Sequence, residues 1–344
     1  MRTLPPKAIT RESNIEVLRI IATFLVLVVH ADFFSLGIPT QNECINSPIS
    51  SITRYFFQSL SICCVDTFIL ISGWFGINPK LKSFASFIFQ CLFFLCGIYA
   101  ILLLTGDAEL SHTGIKGLFA LTDLNWFIKA YIVLYILSPI LNVYIEKVGE
   151  KELRNTIIYF FIFQTIYGCL YATYFFSGGY SPLSFIGLYL LARYTKIYKE
   201  NFLTRNIYLY TFFAITIFQA IIAFLQKRIG FAFENSLLTS YINPLIIIQS
   251  LALLLYFSKV KLKNQIVNWV AASSFAVFLI HTNPNIIFKY FKATIIDIYN
   301  NTNGVECLLH ILAYLCIVFV IGIIVDKPRI FIWRKLWNLY EKRK

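Results

Sequence analysis

Arg19 and His30 are the first residues of this 344-residue chain from which chemistry is expected. They lie eleven positions apart in a stretch, Ser13 to His30, that is otherwise mostly apolar. A helix turns 100° and rises about 1.5 Å per residue, so the two share one stripe, about 16 Å apart along the axis. Glu16, Thr23 and Val26 fall near the same stripe. A guanidinium grips anions through a fork of N–H donors, and an imidazole that titrates near neutrality is a natural general base toward a hydroxyl. Ionisable groups inside a membrane helix are costly unless paired or wetted, and by default they mark a path or a site. Blander roles stand beside these. Glu16 and Arg19 at i,i+3 can simply neutralise each other, Arg19 can reach up to the headgroups, and a lone buried imidazole can serve as hydrogen-bonded packing.

Six further positions carry the same question. His281 is a second imidazole in an apolar run, and Trp126 with Lys129 brings an indole and an ammonium to the start of another run. Donors such as Trp126 suit a developing oxyanion, although an interfacial tryptophan is also an ordinary anchor. Asp66 either pairs with Arg19 or caps a kink. Ser72-Gly73 reads as a close-packing and termination signal. Arg54, at the end of its run, needs no special role. His112 and His310 have no spacing partner, no His/Cys cluster has zinc-site spacing, and no glycine-rich nucleotide loop is present. No metal and no resident cofactor are expected.

These residues need a membrane to position them. Hydrophobic residues make up 58% of the chain and charged ones 14%, against about 25% charged in ordinary globular domains; the mean hydropathy is +0.70. Spans of about 20 apolar residues can be drawn ten times, near 15–36, 51–73, 84–105, 124–145, 156–176, 181–195, 207–226, 241–258, 266–288 and 305–325. The fold class expected is therefore an all-α polytopic membrane protein, a single domain over 1–344: a short N-terminal segment (1–14), a ten-helix bundle (15–326) and a basic interfacial tail (327–344). No cleavable signal peptide is visible, so the first span acts as its own signal. Of the eight cysteines, Cys63, Cys64, Cys91, Cys96, Cys169 and Cys316 lie in apolar runs as small hydrophobes; Cys44 and Cys307 are the pair placed for a bridge in an oxidising periplasm.

The net charge of +13 follows membrane orientation rather than a nucleic-acid partner. With the N-terminus cytoplasmic, the inner segments hold most of the Lys and Arg, from Arg2, Lys7 and Arg11 to the tail beyond Lys327. The outer loops hold only Lys116, Lys227, Arg228, Lys289 and Lys292. The positive-inside rule then puts both termini in the cytoplasm. Depth along the helices divides the polar residues into two layers. Glu16, Arg19, Asp66 and Ser72, with Lys80 and Lys82 just beyond, form an ionic inner layer. His30, His281, Trp126, Lys129 and Arg54 form the outer one. The layout suits an anionic donor that enters from the cytoplasm and reacts near the other face.

Four stretches resemble, in order, the acyltransferase type 3 family of bacterial integral-membrane enzymes. The first is Ser13-Asn14-Ile15-Glu16-Val17-Leu18-Arg19 through His30, which reproduces the family's Arg, ten residues, His signature. The second is Cys64-Val65-Asp66-Thr67-Phe68-Ile69-Leu70-Ile71-Ser72-Gly73. The third is Asn125-Trp126-Phe127-Ile128 with Tyr131, Tyr135 and Pro139, and the fourth is Ser274-Phe275-Ala276-Val277-Phe278-Leu279-Ile280-His281. The resemblance spans nearly the whole chain.

It implies ten spans with both ends inside, in a bacterial cytoplasmic (inner) membrane. The implied activity is transfer of an acyl group, usually acetyl, from acyl-CoA to a hydroxyl of a surface glycan or its lipid-linked precursor. By the same resemblance His30 handles the proton or the acyl group and Arg19 holds the donor. Glu16, Asp66, Ser72, Trp126, Lys129 and His281 are supporting candidates, and Arg19, Lys80 and Lys82 are candidates for the donor phosphates. Glu16 stands where many members carry Asp, and Lys80 and Lys82 stand where many carry arginines. No hydrolase-like domain is expected after the tenth helix. A transporter or flippase, or a non-catalytic partner of a glycan-synthesis complex, is the alternative class; no internal repeat or pair of interrupted helices favours a transporter.

Overall fold

The structure is a computed structural model that describes residues 12–119, 125–171, 175–200, 202–231 and 240–343. Arg2, Lys7, Arg11 and the side chain of Cys169 lie outside that description. The described residues are all-helical, with no strand among them. Among the described residues, six helices are long and apolar enough to cross a membrane: Ser13–Phe34, Pro48–Phe75, Leu81–Thr105, Trp126–Lys147, Arg205–Arg228 and Gly304–Lys342. A seventh candidate is the pair Gln265–His281 and Pro284–Asn301, bent by 57°. Glu150–Gln164, Pro182–Tyr194 and Pro244–Ser258 are helices that are shorter or more polar.

The first helix is at the centre. It packs against Pro48–Ser61, Cys64–Phe75, Pro244–Ser258, Gln265–Ala271, Ser274–His281 and Gly304–Lys342, and Ile15, Leu18, Ala22 and Leu27 are fully enclosed. Its start is tied down by polar bonds: Asn14 donates to the Phe257 carbonyl at 2.9 Å and the Asn264 N–H donates to Ser13 Oγ at 3.0 Å. Lipid tails are as apolar as leucine, so close packing and such bonds, rather than a hydrophobic difference, hold membrane helices together.

The second span is broken at Ile62-Cys63, and in a low-dielectric interior every freed carbonyl needs a donor. Ser61 Oγ donates to the Phe57 carbonyl at 2.6 Å. Gln249 Nε2 donates to the Ser59 carbonyl at 2.9 Å. The Cys63 carbonyl accepts from Thr67 Oγ1 at 2.8 Å and from Ser250 Oγ at 3.1 Å. Beyond the break the helix ends at Phe75 on Gly76, whose φ is +75°. Gly73 lets that helix touch Pro182–Tyr194, because a Cβ there would come within 2.7 Å of Ala192 Cβ and 2.8 Å of the Tyr189 carbonyl. Close packing and termination are thus what Ser72-Gly73 does.

Three sequence expectations change. The span drawn over 266–288 stops at His281, because Pro284 lacks an N–H and holds Asn283 extended (ψ 131°). The chain then turns and continues as helix to Asn301, where a loop was expected. The last helix does not end near 325 but runs through Pro328 to Lys342, about 58 Å at 1.5 Å per residue. A bidentate Arg329–Asp326 pair at 2.8 Å lies beside the proline, and Trp333 packs on Phe89. Cys44 and Cys307 are free thiols, both buried.

Candidate active site

At its C-terminal end the first helix widens into a π turn over His30–Phe34, a feature that frequently occurs at functional sites. Ser35 Oγ donates to the His30 carbonyl at 2.6 Å, which holds the turn. Sequence depth put His30 and His281 at one level, and the structure joins them: His30 Nδ1 lies 2.9 Å from His281 Nε2. The other nitrogen of His281, Nδ1, lies 2.6 Å from the Val277 carbonyl.

That carbonyl fixes the protons. A carbonyl oxygen only accepts, so His281 Nδ1 carries a hydrogen and its Nε2, in the neutral ring, is an acceptor. His30 Nδ1 must then be the donor to it. In that chain of neutral rings His30 Nε2 keeps its lone pair, and it has no hydrogen-bond partner among the described residues. His281 is buried between Phe278 and Phe291, with ring centroids at 6.1 and 5.4 Å. The pair is therefore one reactive nitrogen backed by a second imidazole.

His30 lines a cavity of about 650 Å³. Trp126, Lys129, Tyr180 and Tyr241 line it too, with Thr282 beyond the helix break. Trp126 opens its helix and meets Tyr180 edge-on at 4.4 Å between centroids, and it stacks near Tyr241 at 6.0 Å. Tyr180 follows the turn Gly178-Gly179. Gly179 has φ +99°, and a Cβ there would come within 2.5 Å of Tyr241 Cβ, so that glycine lets the turn seat the two tyrosines together. Three aromatic rings with N–H or O–H tips thus form one wall of the cavity.

The inner-layer residues are not gathered into this cavity. Arg19 is ion-paired to Glu16 at 2.7 Å, one helical turn away, with its side chain 30% exposed. Neither residue lines the His30 cavity, and neither do Asp66, Ser72, Lys80 or Lys82. Arg19 and His30 share a stripe of the first helix but do not line this cavity together. The rings of Phe127 and Phe278, which line the cavity, pack with those of Tyr131, Phe275 and Phe87 into a column. Phe127 stacks on Tyr131 (6.0 Å), Phe275 on Phe278 (5.7 Å) and Phe87 on Phe275 (5.5 Å).

Asp66 does not pair with Arg19. It sits fully buried in the first turn after the break in the second span, where a carboxylate meets the positive end of a helix, and its Oδ2 has no partner among the described residues. Ser72 Oγ lies 3.4 Å from Tyr131 Oη. Lys82 reaches the last helix, 3.5 Å from Glu341 and 5.3 Å over the Trp337 ring, and Lys80 is exposed. Arg54, given no role from sequence, is tied to Asp32, and that pair lines a different cavity. No group of three or more His, Cys, Asp or Glu among the described residues is placed to hold a metal.

Residues 12–327 match the family model described as an acyltransferase domain. Comparison with curated proteins and with solved structures finds no significant match.

Proposed function

The chain belongs to the acyltransferase type 3 family, and from that membership and the His30 cavity we propose that it is a membrane O-acyltransferase. It takes an acyl group, acetyl first among the candidates, from acyl-CoA on the cytoplasmic side. It passes that group to a hydroxyl of a surface glycan or its lipid-linked precursor. The observation that carries the reading is the chain Val277 carbonyl, His281, His30, which leaves an unprotonated Nε2 on a cavity wall.

In the proposed step His30 Nε2 takes the proton of the acceptor hydroxyl while its oxygen attacks the thioester carbonyl. The C–S bond breaks, the coenzyme leaves as thiolate, and the proton on His30 returns to that sulfur. The alternative order, in which Nε2 itself first accepts the acyl group, uses the same nitrogen. His281 is a positioning residue: it fixes the tautomer and the ring plane of His30. Trp126 and Lys129 supply donors to the oxyanion. Trp126, Tyr180 and Tyr241 hold the sugar by ring stacking.

Arg19 and the loop lysines meet the phosphates of the donor at the cytoplasmic side. The pantetheine arm then reaches His30 by parting the column of rings at Phe127, Tyr131 and Phe275. In this reading the shorter helices complete ten spans, with both termini cytoplasmic, in the inner membrane of a bacterium. The donor is a substrate, and no cofactor is resident.

Purified full-length protein incubated with acetyl-labelled acetyl-CoA and total lipid-linked glycan tests this. Transfer of label to glycan by the wild-type protein, lost in His30→Ala with the fold retained, is the expected result. Label transferred equally by His30→Ala ends the assignment.

A further inference from the structure

The first helix separates two cavities. The second, about 760 Å³, lies across the helix from His30 and includes none of the residues given a catalytic role above. Opposite faces of the helix line them: Val26, Val29 and His30 line one cavity, and Val28, Ala31 and Asp32 the other.

This second cavity has a polar end and an apolar end. Its lining follows the last helix from Asn303 and Gly304 through Leu308 to Leu312 and Leu315. It also follows the first helix back from Asp32 to Val28, with Phe57 opposite. Further into the spans the lining is apolar, while the polar residues sit where the helices meet their loops, with Leu36, Ile49 and Val305 among them.

At the polar end the Arg54 guanidinium is fully committed in orientation. Its Nε donates to Asp32 Oδ1 at 2.9 Å, its Nη2 donates to the Gly37 carbonyl, and its plane lies 5.6 Å from the centroid of Tyr299. The second carboxylate oxygen, Asp32 Oδ2, is buried and has no hydrogen-bond partner among the described residues. A buried acceptor left without a donor is costly and points to a missing partner.

Charge narrows what that partner is. Glu43 also lines the cavity, and hydrogen bonds from the Thr40 hydroxyl and backbone N–H (2.7 and 2.6 Å) hold its carboxyl below the usual range, so it is ionised at neutral pH. Two carboxylates against one guanidinium repel an anionic head. A quaternary ammonium head has no hydrogen to give Asp32 Oδ2 and lies against the Arg54 guanidinium beside it. An uncharged hydroxyl donates to Oδ2 without either penalty, and the apolar end excludes a free sugar in favour of one carried on a chain.

We infer that this cavity binds an amphiphile with an uncharged polyhydroxylated head, hydrogen-bonded to Asp32 beside Arg54, and an apolar chain lying along Val28, Phe57 and Leu312. The inference does not depend on acyl transfer.

The test uses native mass spectrometry of the full-length protein released from a sugar-free amine-oxide detergent. Octyl β-glucoside, dodecyl phosphate and dodecyltrimethylammonium are added separately as probes. The glucoside adduct is expected to exceed each charged probe by about tenfold, the equivalent of one good hydrogen bond to a charged group. It should persist in His30→Ala. It should fall by a similar factor in Asp32→Asn, which turns the free oxygen into an N–H, and in Leu312→Trp, which fills the apolar end and leaves the ion pair intact. Equal retention of a charged probe overturns the inference, as does an adduct unchanged in both Asp32→Asn and Leu312→Trp. An adduct lost in His30→Ala instead puts the ligand in the other cavity and overturns it too. None of these outcomes bears on whether His30 transfers acyl groups.

Discussion

His30–His281 and Asp32–Arg54 start two residues apart on the same π turn, and they solve the problem of buried polarity in opposite ways. The imidazoles are joined through neutral rings to the Val277 carbonyl, so no net charge need be buried and one nitrogen is left basic. The second pair is ionic, 2.9 Å apart and almost enclosed, so it holds its place by charge and leaves an acceptor oxygen unsatisfied. A neutral chain can pass a proton and return to its starting state. A buried ion pair cannot change protonation without losing its partner, which makes it a fixture for binding. The first helix thus carries a neutral hydrogen-bonded chain toward one cavity and an ion pair toward the other.

Removing the reactive imidazole is the most direct way to break this contrast. His30→Ala is expected to lower the rate of transfer by about 10²- to 10⁴-fold, the usual contribution of a positioned general base. Single-turnover kinetics on labelled acetyl-CoA would measure it. Thermal stability should fall less than in Asp32→Ala, since His281 Nε2 loses its donor but no charge is stranded. Asp32→Ala should do the reverse. Stripping the carboxylate leaves a buried guanidinium unpaired, and such losses cost about 3–5 kcal/mol. A lowered unfolding midpoint in detergent is the readout; an unchanged midpoint means the pair is wetter than its burial suggests.

His281 sharpens the comparison further. If its role is to accept from His30 Nδ1, then Gln, whose side-chain carbonyl also accepts, should preserve what Leu destroys. His281→Leu is expected to cost about tenfold to a hundredfold in rate, on the scale of lost orienting partners elsewhere, with His281→Gln between it and the wild type. The expected pH profile distinguishes orientation from mere packing. Activity that depends on an unprotonated Nε2 falls as pH is lowered, and the position of that fall should move in His281→Leu. Equal rates and profiles for Gln and Leu would mean the second imidazole only fills space.

Much of this was readable in the chain, and the failures have physical causes. Helical rise alone put His30 and His281 at one depth, but depth says nothing of rotation, so their contact had to wait for the structure. The stripe argument for Arg19 assumed that residues on one face share one space. The rings of Phe127, Tyr131 and Phe275 come from other helices, and no spacing within the first helix reveals them. Asp32 was overlooked because it lies about 200° around the helix from His30 and off the Arg19–His30 stripe, and Arg54 was dismissed because its partner was. The break after His281 was legible in Asn283-Pro284, but the apolar residues beyond it masked the signal.

The smallest effect is expected where the same ion-pair chemistry lies in the open. Asp107 and Lys289 meet at 2.9 Å with side chains about half exposed. Hydrogen bonds from Lys289 and Thr105 hold the Asp107 carboxyl below the usual aspartate range. A depressed carboxylate stabilises the fold above its unfolded pKa and loses that contribution as pH falls through its folded pKa. Asp107→Asn should therefore differ from the wild type, if at all, at neutral pH, and the two should converge in acid. Exposed pairs seldom contribute measurably, so the unfolding midpoints of the two proteins at pH 7 are expected to coincide within error. Comparing that null result with a large loss in Asp32→Ala isolates burial as the variable. A loss at Asp107 as large as at Asp32 would show that the contrast between the two sides of the first helix owes nothing to enclosure.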